Sequence, residues 1–151
     1  MILNKFNTIT SFRKLISLAS NERERTFIKD ICKKCGKDII IYYLSQGQII
    51  CGFVAVSVNK INDIPCISIE YLLVKKEYRK KVYEELDKKF ISEFLIYFVY
   101  ELGKKLKNDI GLRWLALIPD NAQLEKYYID TYKFVKYENN KKVFLFLSLK
   151  N

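Results

Sequence analysis

Three groups of residues in this chain have types and spacings that could carry chemistry. Cys32 and Cys35 form the run CKKC. Zinc takes four ligands, and the chain has neither a histidine nor a second CxxC to complete a set. A redox role fits poorly as well. Reactive CxxC pairs sit at a helix amino terminus, whereas this pair falls at the carboxyl end of a predicted helix, before Gly36; packing and helix termination are the expected roles. The lack of histidine excludes Ser/His and Cys/His nucleophilic triads, and no GxSxG, GxxxxGK(S/T) or DxDxDG run is present. What is left is Glu70, a lone carboxylate inside the apolar run ISIEYLLV, and the pair Asn121 and Tyr128 in NAQLEKYY. Those two are seven residues apart, two helical turns, so they occupy one helix face.

The elements that must position these residues follow from apolar periodicity. SFRKLISLASNERERTFIKDICKKC places Phe12, Leu15, Ile16 and Leu18, then Phe27, Ile28 and Ile31, at helical spacings, with Asn21 as a candidate cap. DIIIYYLSQGQIICGFVAVSV reads as two strands joined by a turn at Ser45–Gln48, and the second strand, apolar on both faces, is expected to be central. NKINDIP reads as a polar connection. Pro65 then opens a strand whose alternation sends Cys66, Ser68, Glu70 and Leu72 to one side. From about Val82 to Lys107, Tyr83, Leu86, Phe90, Phe94, Phe98, Leu102 and Leu106 recur every three or four residues, the pattern of a long helix. LRWLALI is a further strand, DNAQLEKYYIDTY a short helix starting at Asp120 or Asn121, and KFVKY with KVFLFLSL a terminal hairpin joined by ENNK. The order predicts a compact mixed α/β (α+β) fold.

The succession ISIEYLLV, long helix, GLRWLAL, NAQLEKYY and KF resembles the GNAT family of acetyl-CoA-dependent N-acetyltransferases, well over residues 66 to about 137 and loosely outside them. The family's N-x-x-A-x-x-x-Y pattern before a terminal G-F is matched by Asn121, Leu124 and Tyr128, with Lys133 and Phe134 in place of G-F. The resemblance implies a mixed central sheet with flanking helices and a splay between its two central strands. It implies acetyl-CoA in that splay: the carbonyl near the amides of Leu72, Leu73 and Val74, with Asn121 and Tyr128 closing the other wall. Tyr128 would donate a proton to the leaving thiolate. Glu70 would accept one from an incoming amine, which at pH 7 is mostly unreactive ammonium, and burial beside the strand would raise its basicity. Direct attack of a primary amine on the thioester would follow, without metal or covalent enzyme intermediate.

The family places Q/R-x-x-G-x-G/A between that strand and helix, where backbone N–H groups and the helix terminus hold a pyrophosphate. Neither register here supplies the glycines. Starting at Arg79, Val82 and Glu84 replace them, and Glu84 with Glu85 sets negative charge against phosphate. Starting at Asp87, DKKFIS keeps a small residue at Ser92 and offers Lys88 and Lys89 as cations, with Phe90 at the first glycine and Ile91 beginning a helix of family length. The second register is preferred; residues 76 to 86 then form an extension, expected to be helical and able to cover the substrate cleft.

Composition frames these expectations. Half of the 151 residues are hydrophobic, enough for one core, and a single domain over 1–151 is expected. Glu93 interrupts the most apolar run, no uncharged stretch reaches the ~18 residues of a membrane span, and MILNKFNTIT lacks the features of a secretory signal. A soluble, cytoplasmic protein with reduced cysteines and no disulfides is expected. The net charge of +10 favours polyanionic partners, yet the cations are spread over every segment. Small-molecule, peptide and RNA-linked amines all remain as acceptors, and the oligomeric state, a homodimer included, is open. Two other functions are carried forward. The missing glycines fit a binding module that keeps the GNAT fold without its chemistry. The basic balance and the terminal FLFLSLK fit a GNAT-type toxin acting on charged tRNA.

Overall fold

The structure, a computed structural model, describes residues 1–6, 12–139 and 141–150. In chain order its elements are β1 (Ile2–Lys5), α1 (Phe12–Ile16), α2 (Glu22–Lys34), β2 (Ile40–Gln46), β3 (Ile49–Ile61), β4 (Ile64–Val74), β5 (Val82–Tyr83), β6 (Lys89–Phe90), α3 (Ile91–Ile110), β7 (Trp114–Leu117), α4 (Ala122–Tyr132), β8 (Val135–Asn139) and β9 (Lys142–Ser148). Seven strands form one mixed sheet in the order β1-β2-β3-β4-β7-β9-β8. β4 and β7 run parallel, while β1–β2, β2–β3, β7–β9 and β8–β9 are antiparallel. This is the mixed α+β class the residue pattern predicts.

The chain forms two compact units, Met1–Ser57 with Tyr71–Phe98, and Val58–Glu70 with Val99–Asn151. In the first, α1 has only five residues, far below the length at which an isolated helix is stable. It persists because Leu15 is fully buried together with Leu18, Ile28 and Ile31, against Ile41, Phe53, Ala55 and Leu73 of the strands. Each such side chain contributes roughly 1.5–3 kcal/mol by leaving water. Phe6 stacks on Phe12 at 5.1 Å, tying the chain after β1 to α1. Asn21 caps α2, its side chain accepting from the Glu24 N–H at 2.9 Å, as its position before the apolar run predicts. β3 is buried on both faces from Ile50 to Val56, as a central strand should be.

In the second unit Leu112, Leu115, Leu145 and Leu149 are fully buried, and Trp114 meets Phe146 edge-on at 5.9 Å. Gly103 lets α3 come close: a methyl there would lie 2.9 Å from Ile67 Cγ2 and 3.0 Å from Leu149 Cδ2. The Tyr100 hydroxyl and the Lys107 ammonium donate to the Ser148 and Leu149 carbonyls, holding the end of β9 to the helix.

Four readings of the sequence need correction. β1 pairs with β2 from Ile2↔Ser45 to Lys5↔Tyr42, a strand too short and irregular in pattern to be seen in ILNK. NKINDIP is no loose connection: β3 runs to Ile61 and β4 starts at Ile64, joined by Asn62 and Asp63, both with positive φ (49° and 64°), the conformation of a tight type I′ hairpin. The long helix starts at Ile91, where the preferred register begins it, and not near Val82 as the apolar repeat alone predicts. Its periodic residues Tyr83, Leu86 and Phe90 lie on a short β5–β6 hairpin and the 3-10 turn Glu84–Leu86 within it, because Asp87 and Lys88 both take positive φ (55° and 59°) and no α-helix passes through two left-handed residues. The extension at 76 to 86 is therefore 3-10 and hairpin, not α-helix. The fourth correction, at Glu70, belongs to the site. Within the terminal hairpin's ENNK link, Asn140 lies outside the described residues.

Candidate functional site

The site begins where two strands part. β7 pairs with β4 only from Cys66↔Trp114 to Ile69↔Leu117, and β4 runs on to Val74. Beyond Ile69 the backbone edge of β4 that faced β7 loses its sheet partner, although a strand edge presents N–H and C=O groups that need one. The burial of β4 follows the same break: Cys66 to Ser68 are buried, Ile69 to Leu72 partly or fully exposed, Leu73 and Val74 buried again. This is the splay the GNAT resemblance implies, and Leu72, Leu73 and Val74 lie on it.

In the first unit, Gly52 of β3 joins this strand end to the start of α3. A methyl on Gly52 would meet the Leu73 carbonyl oxygen at 3.0 Å, Ile91 Cγ2 at 3.1 Å and Val74 Cα at 3.5 Å. Leu73, Val74 and Ile91 thus converge on one bare backbone position. The signal for Gly52 was available: a glycine inside a fully apolar strand marks close approach.

The turn before α3 and the first residues of that helix carry the anion candidates. Lys88 is exposed and Lys89 half-buried, its ammonium 5.7 Å from the Tyr97 ring centre. Phe90, at the first glycine position of the preferred register, is half-buried in the β5–β6 pair with φ outside the left-handed region. The left-handed backbone lies instead at Asp87 and Lys88. Ile91 is buried, so only its backbone faces outward, and Ser92 is half-buried. Glu93 was missed: its carboxylate accepts from the Phe90 N–H at 3.4 Å, an N3 glutamate reaching back to the helix start. That places negative charge among the N–H groups where an anion would bind. Arg79, first residue of the rejected register, is engaged elsewhere. Its Nε donates to the Val74 carbonyl at 2.7 Å and Nη2 lies 3.5 Å from Glu24 Oε1.

In the second unit lie Glu70, Asn121 and Tyr128. Glu70 is exposed, correcting the burial expected of it: with β7 ended at Leu117, nothing from that strand covers it. Asn121 is the N-cap of α4, its Oδ1 accepting from the Leu124 N–H at 2.8 Å, so its side-chain N–H is the group left to face a ligand. Tyr128 is half-buried among aromatic rings, at 5.9 Å from Tyr127, 6.2 Å from Tyr132 and 6.1 Å from Phe134. Burial pushes its hydroxyl above the usual tyrosine range, and the negative charge of Asp120 and the neighbouring Tyr127 add to this. Such a group holds its proton at neutral pH. Lys133 ends α4 at φ 66°, the left-handed C-cap that glycine usually fills, which explains K-F where the family has G-F.

The CKKC pair sits where expected, at the end of α2. The Cys35 N–H closes the helix on the Cys32 carbonyl at 3.3 Å. Burial and the adjacent Cys35 push the Cys32 thiol up to about 11, the opposite of a reactive thiolate. All four cysteines are free thiols, and no helix among the described residues is long and apolar enough to cross a membrane.

Solved structures share this architecture. A tyrosine-to-phenylalanine variant of the toxin AtaT, bound to the C-terminus of the antitoxin AtaR and acetyl-CoA, matches with a TM-score of 0.75 and 11% identity over 98% of this chain and 92% of that one. AtaT complexed with acetyl-methionyl-tRNAfMet matches with 0.73 and 10% over 97% and 95%, and the KacTA–DNA complex with 0.69 and 17% over 86% and 81%. No protein-family model matches the chain, and no curated protein sequence does. At such identities the likeness is one of architecture: the chain has the GNAT-like fold of these toxin structures, a mixed sheet whose parallel central strands part midway.

Proposed function

We propose that this protein is an acetyl-CoA-dependent N-acetyltransferase acting on a primary amine. The observation that carries the reading is the parting of β4 from β7 after Ile69–Leu117, which frees a strand edge for an amide-bearing ligand arm. The donor set fits the cofactor: strand amides from Glu70 to Val74 for the pantetheine amides, and the first turn of α3 with Lys88 for the diphosphate. Acetyl-CoA, when bound, supplies an acetyl thioester open to attack by an amine.

The residues of the chain divide the remaining work. Leu72 to Val74 orient the arm through backbone hydrogen bonds, and Lys88 to Ser92 hold the phosphate end. Glu70, solvated and able to reach water, takes a proton from the incoming ammonium directly or through that water. Tyr128, which burial keeps protonated, gives a proton to the departing sulfur. Asn121 fixes the start of the helix that carries Tyr128.

The test is a thermal-shift titration. Acetyl-CoA at 100 times its dissociation constant stabilises by about 2.7 kcal/mol, roughly 5–10 °C for a domain of this size. An unchanged transition at millimolar acetyl-CoA would leave the fold as a binding module without acetyltransferase chemistry.

A narrower reading of the acceptor has its own support. Between β4 and α3 the chain carries Lys75, Lys76, Lys80, Lys81, Lys88 and Lys89 against Glu77, Glu84, Glu85 and Asp87, and the AtaT structure with acetyl-methionyl-tRNAfMet has a similar fold. The α-amine of an amino acid esterified to tRNA is the acceptor these features favour over a free small amine. Retention of tRNA that falls steeply between 50 and 200 mM salt, as phosphate contacts release counterions, supports it; salt-insensitive or absent retention removes it.

A further inference from the structure

We infer that Arg79 is a positioning residue, which through the Val74 carbonyl and the Glu24 carboxylate sets where the segment leaving β4 delivers the Lys88–Ser92 turn. The inference rests on the acetyl-CoA reading above and adds a residue to it.

The segment from Lys75 to Phe90 starts at the end of the strand that orients the pantetheine arm and finishes at the helix start that would hold the diphosphate. Its regular structure is slight: two 3-10 turns and a hairpin of two residues per strand. Fragments this short do not hold their own geometry, so side-chain ties must place them. Arg79 supplies two side-chain ties at the β4 end, beside the backbone bond from the Lys75 N–H to the Cys51 carbonyl at 2.7 Å. Its Nε donates to the Val74 carbonyl at 2.7 Å, bending the chain back on the strand it has just left. Its Nη2 lies 3.5 Å from Glu24 Oε1. That carboxylate also accepts from the Ser20 N–H and the Ser20 hydroxyl, both at 2.8 Å, so it is fixed from two directions at the start of α2. The pair is shielded, with side-chain exposures of 35% for Arg79 and 18% for Glu24, which sets it apart from surface ion pairs worth little. The planar fork of arginine serves both partners at once; a lysine ammonium does not reproduce that geometry.

The arrangement gives Arg79 a role that its charge alone would not suggest. Engaged by a carbonyl and a carboxylate, it is not a phosphate ligand. It is the fixed point between the ligand's two ends. Its loss should therefore weaken ligands that span both β4 and the α3 turn, and spare ligands that use β4 alone.

The experiment compares acetyl-CoA with S-acetylpantetheine, which has the thioester arm and no phosphate, by isothermal titration of the full-length wild type, Arg79→Gln, Arg79→Lys and Glu24→Gln. The expected result is acetyl-CoA binding weakened roughly tenfold in both Arg79 variants and less in Glu24→Gln, with S-acetylpantetheine unchanged within about twofold. The Arg79→Gln, Glu24→Gln double variant should be no weaker than Arg79→Gln, because the two residues act through one tie. Equal loss for both ligands, or no loss for acetyl-CoA, overturns the positioning role while leaving the acetyl-CoA reading intact. Failure of the wild type to bind acetyl-CoA overturns both. Should Arg79→Gln fail to fold, Glu24→Gln decides by the same comparison, since it keeps the Arg79–Val74 hydrogen bond.

Discussion

Tyr128→Phe separates chemistry from packing at one atom. The ring of Tyr128 touches Tyr127, Tyr132 and Phe134, and phenylalanine keeps all three contacts. No hydrogen bond to the hydroxyl is found among the described residues, so its removal strands no partner, and stability should change by less than about 0.5 kcal/mol. Activity should change far more. A positioned general acid contributes roughly 10²–10⁴-fold, or about 3–5 kcal/mol of barrier. Tyr128 suits the role because burial first, then Asp120 and Tyr127, hold its pKa above the tyrosine norm of 10.0. The acid form is thus available through neutral pH, and any loss of rate from its ionisation falls above that value. The assay is release of the CoA thiol from acetyl-CoA with an aminoacyl-tRNA pool as acceptor, run beside an acetyl-CoA titration. The expected outcome is a kcat lowered by at least about a hundredfold with acetyl-CoA affinity unchanged. Tyr128→Ala, which deletes a half-buried ring, should in addition destabilise by about 2 kcal/mol. A Tyr128→Phe variant within about threefold of wild type would refute the acid assignment and turn attention to Tyr132, one turn further along the same face.

Other substitutions test the scaffold. Gly52→Ala sets a methyl 3.0 Å from the Leu73 carbonyl and 3.1 Å from Ile91; the strain should cost about 1–3 kcal/mol by urea denaturation and weaken acetyl-CoA binding, because both ends of the candidate site move. Lys133→Gly should stabilise by about 1 kcal/mol, read as a higher urea midpoint, since glycine takes the left-handed C-cap at φ 66° without the strain a side chain brings there. Glu93→Gln keeps a hydrogen bond to the Phe90 N–H and removes a negative charge from the first turn of α3; acetyl-CoA should bind several-fold tighter, and unchanged or weaker binding would exclude the diphosphate from this turn. Cys32 gives a pH signature. Its folded pKa, about 11, lies above the unfolded 9.0, so its contribution is complete below pH 9 and is lost as pH rises through about 11. Cys32→Ala should flatten that part of the stability profile in chemical denaturation at pH 8, 9.5 and 11.

Local rules made much of the fold legible. Asn21 and Asn121 were readable as caps because each precedes an apolar helical repeat, and both cap in the structure. β3 was readable as central because no face of it is polar between Ile50 and Val56. The two missed turns share a cause. Asn62–Asp63 and Asp87–Lys88 make left-handed turns without glycine, so nothing in composition marks the break, and the apolar repeat of Tyr83, Leu86 and Phe90 continues straight through the second. Glu70 was assigned to a strand face correctly, yet its exposure depends on where β7 stops, a property of the partner strand. The Arg79–Glu24 tie joins residues 55 positions apart; neither has a local pattern that names the other.

The turn before α3 shows which part of a phosphate loop glycine must supply. Glycine offers two things there, a positive φ and a backbone without a side chain in the way. Asp87 and Lys88 meet the first requirement with side chains, at a strain of order 1–3 kcal/mol each. The ties at either end of the segment, Arg79 on Val74 and Ile91 against Gly52, are what can hold that strain in place. The second requirement is met only in part. Lys88 is exposed, but Phe90 is half-buried and its N–H is engaged by Glu93. Backbone donors are therefore fewer than in a glycine loop, and in the proposed diphosphate site the exposed ammonium of Lys88 stands in for them. That exchange alters the physics of recognition: hydrogen bonds from a helix terminus are short-ranged and fixed in direction, whereas an exposed lysine acts as a mobile point charge that salt screens. On the proposed reading, a glycine-free turn of this kind discriminates a diphosphate less by shape than by charge, which is why Glu93, whose carboxylate accepts from the Phe90 N–H, weighs so heavily on it.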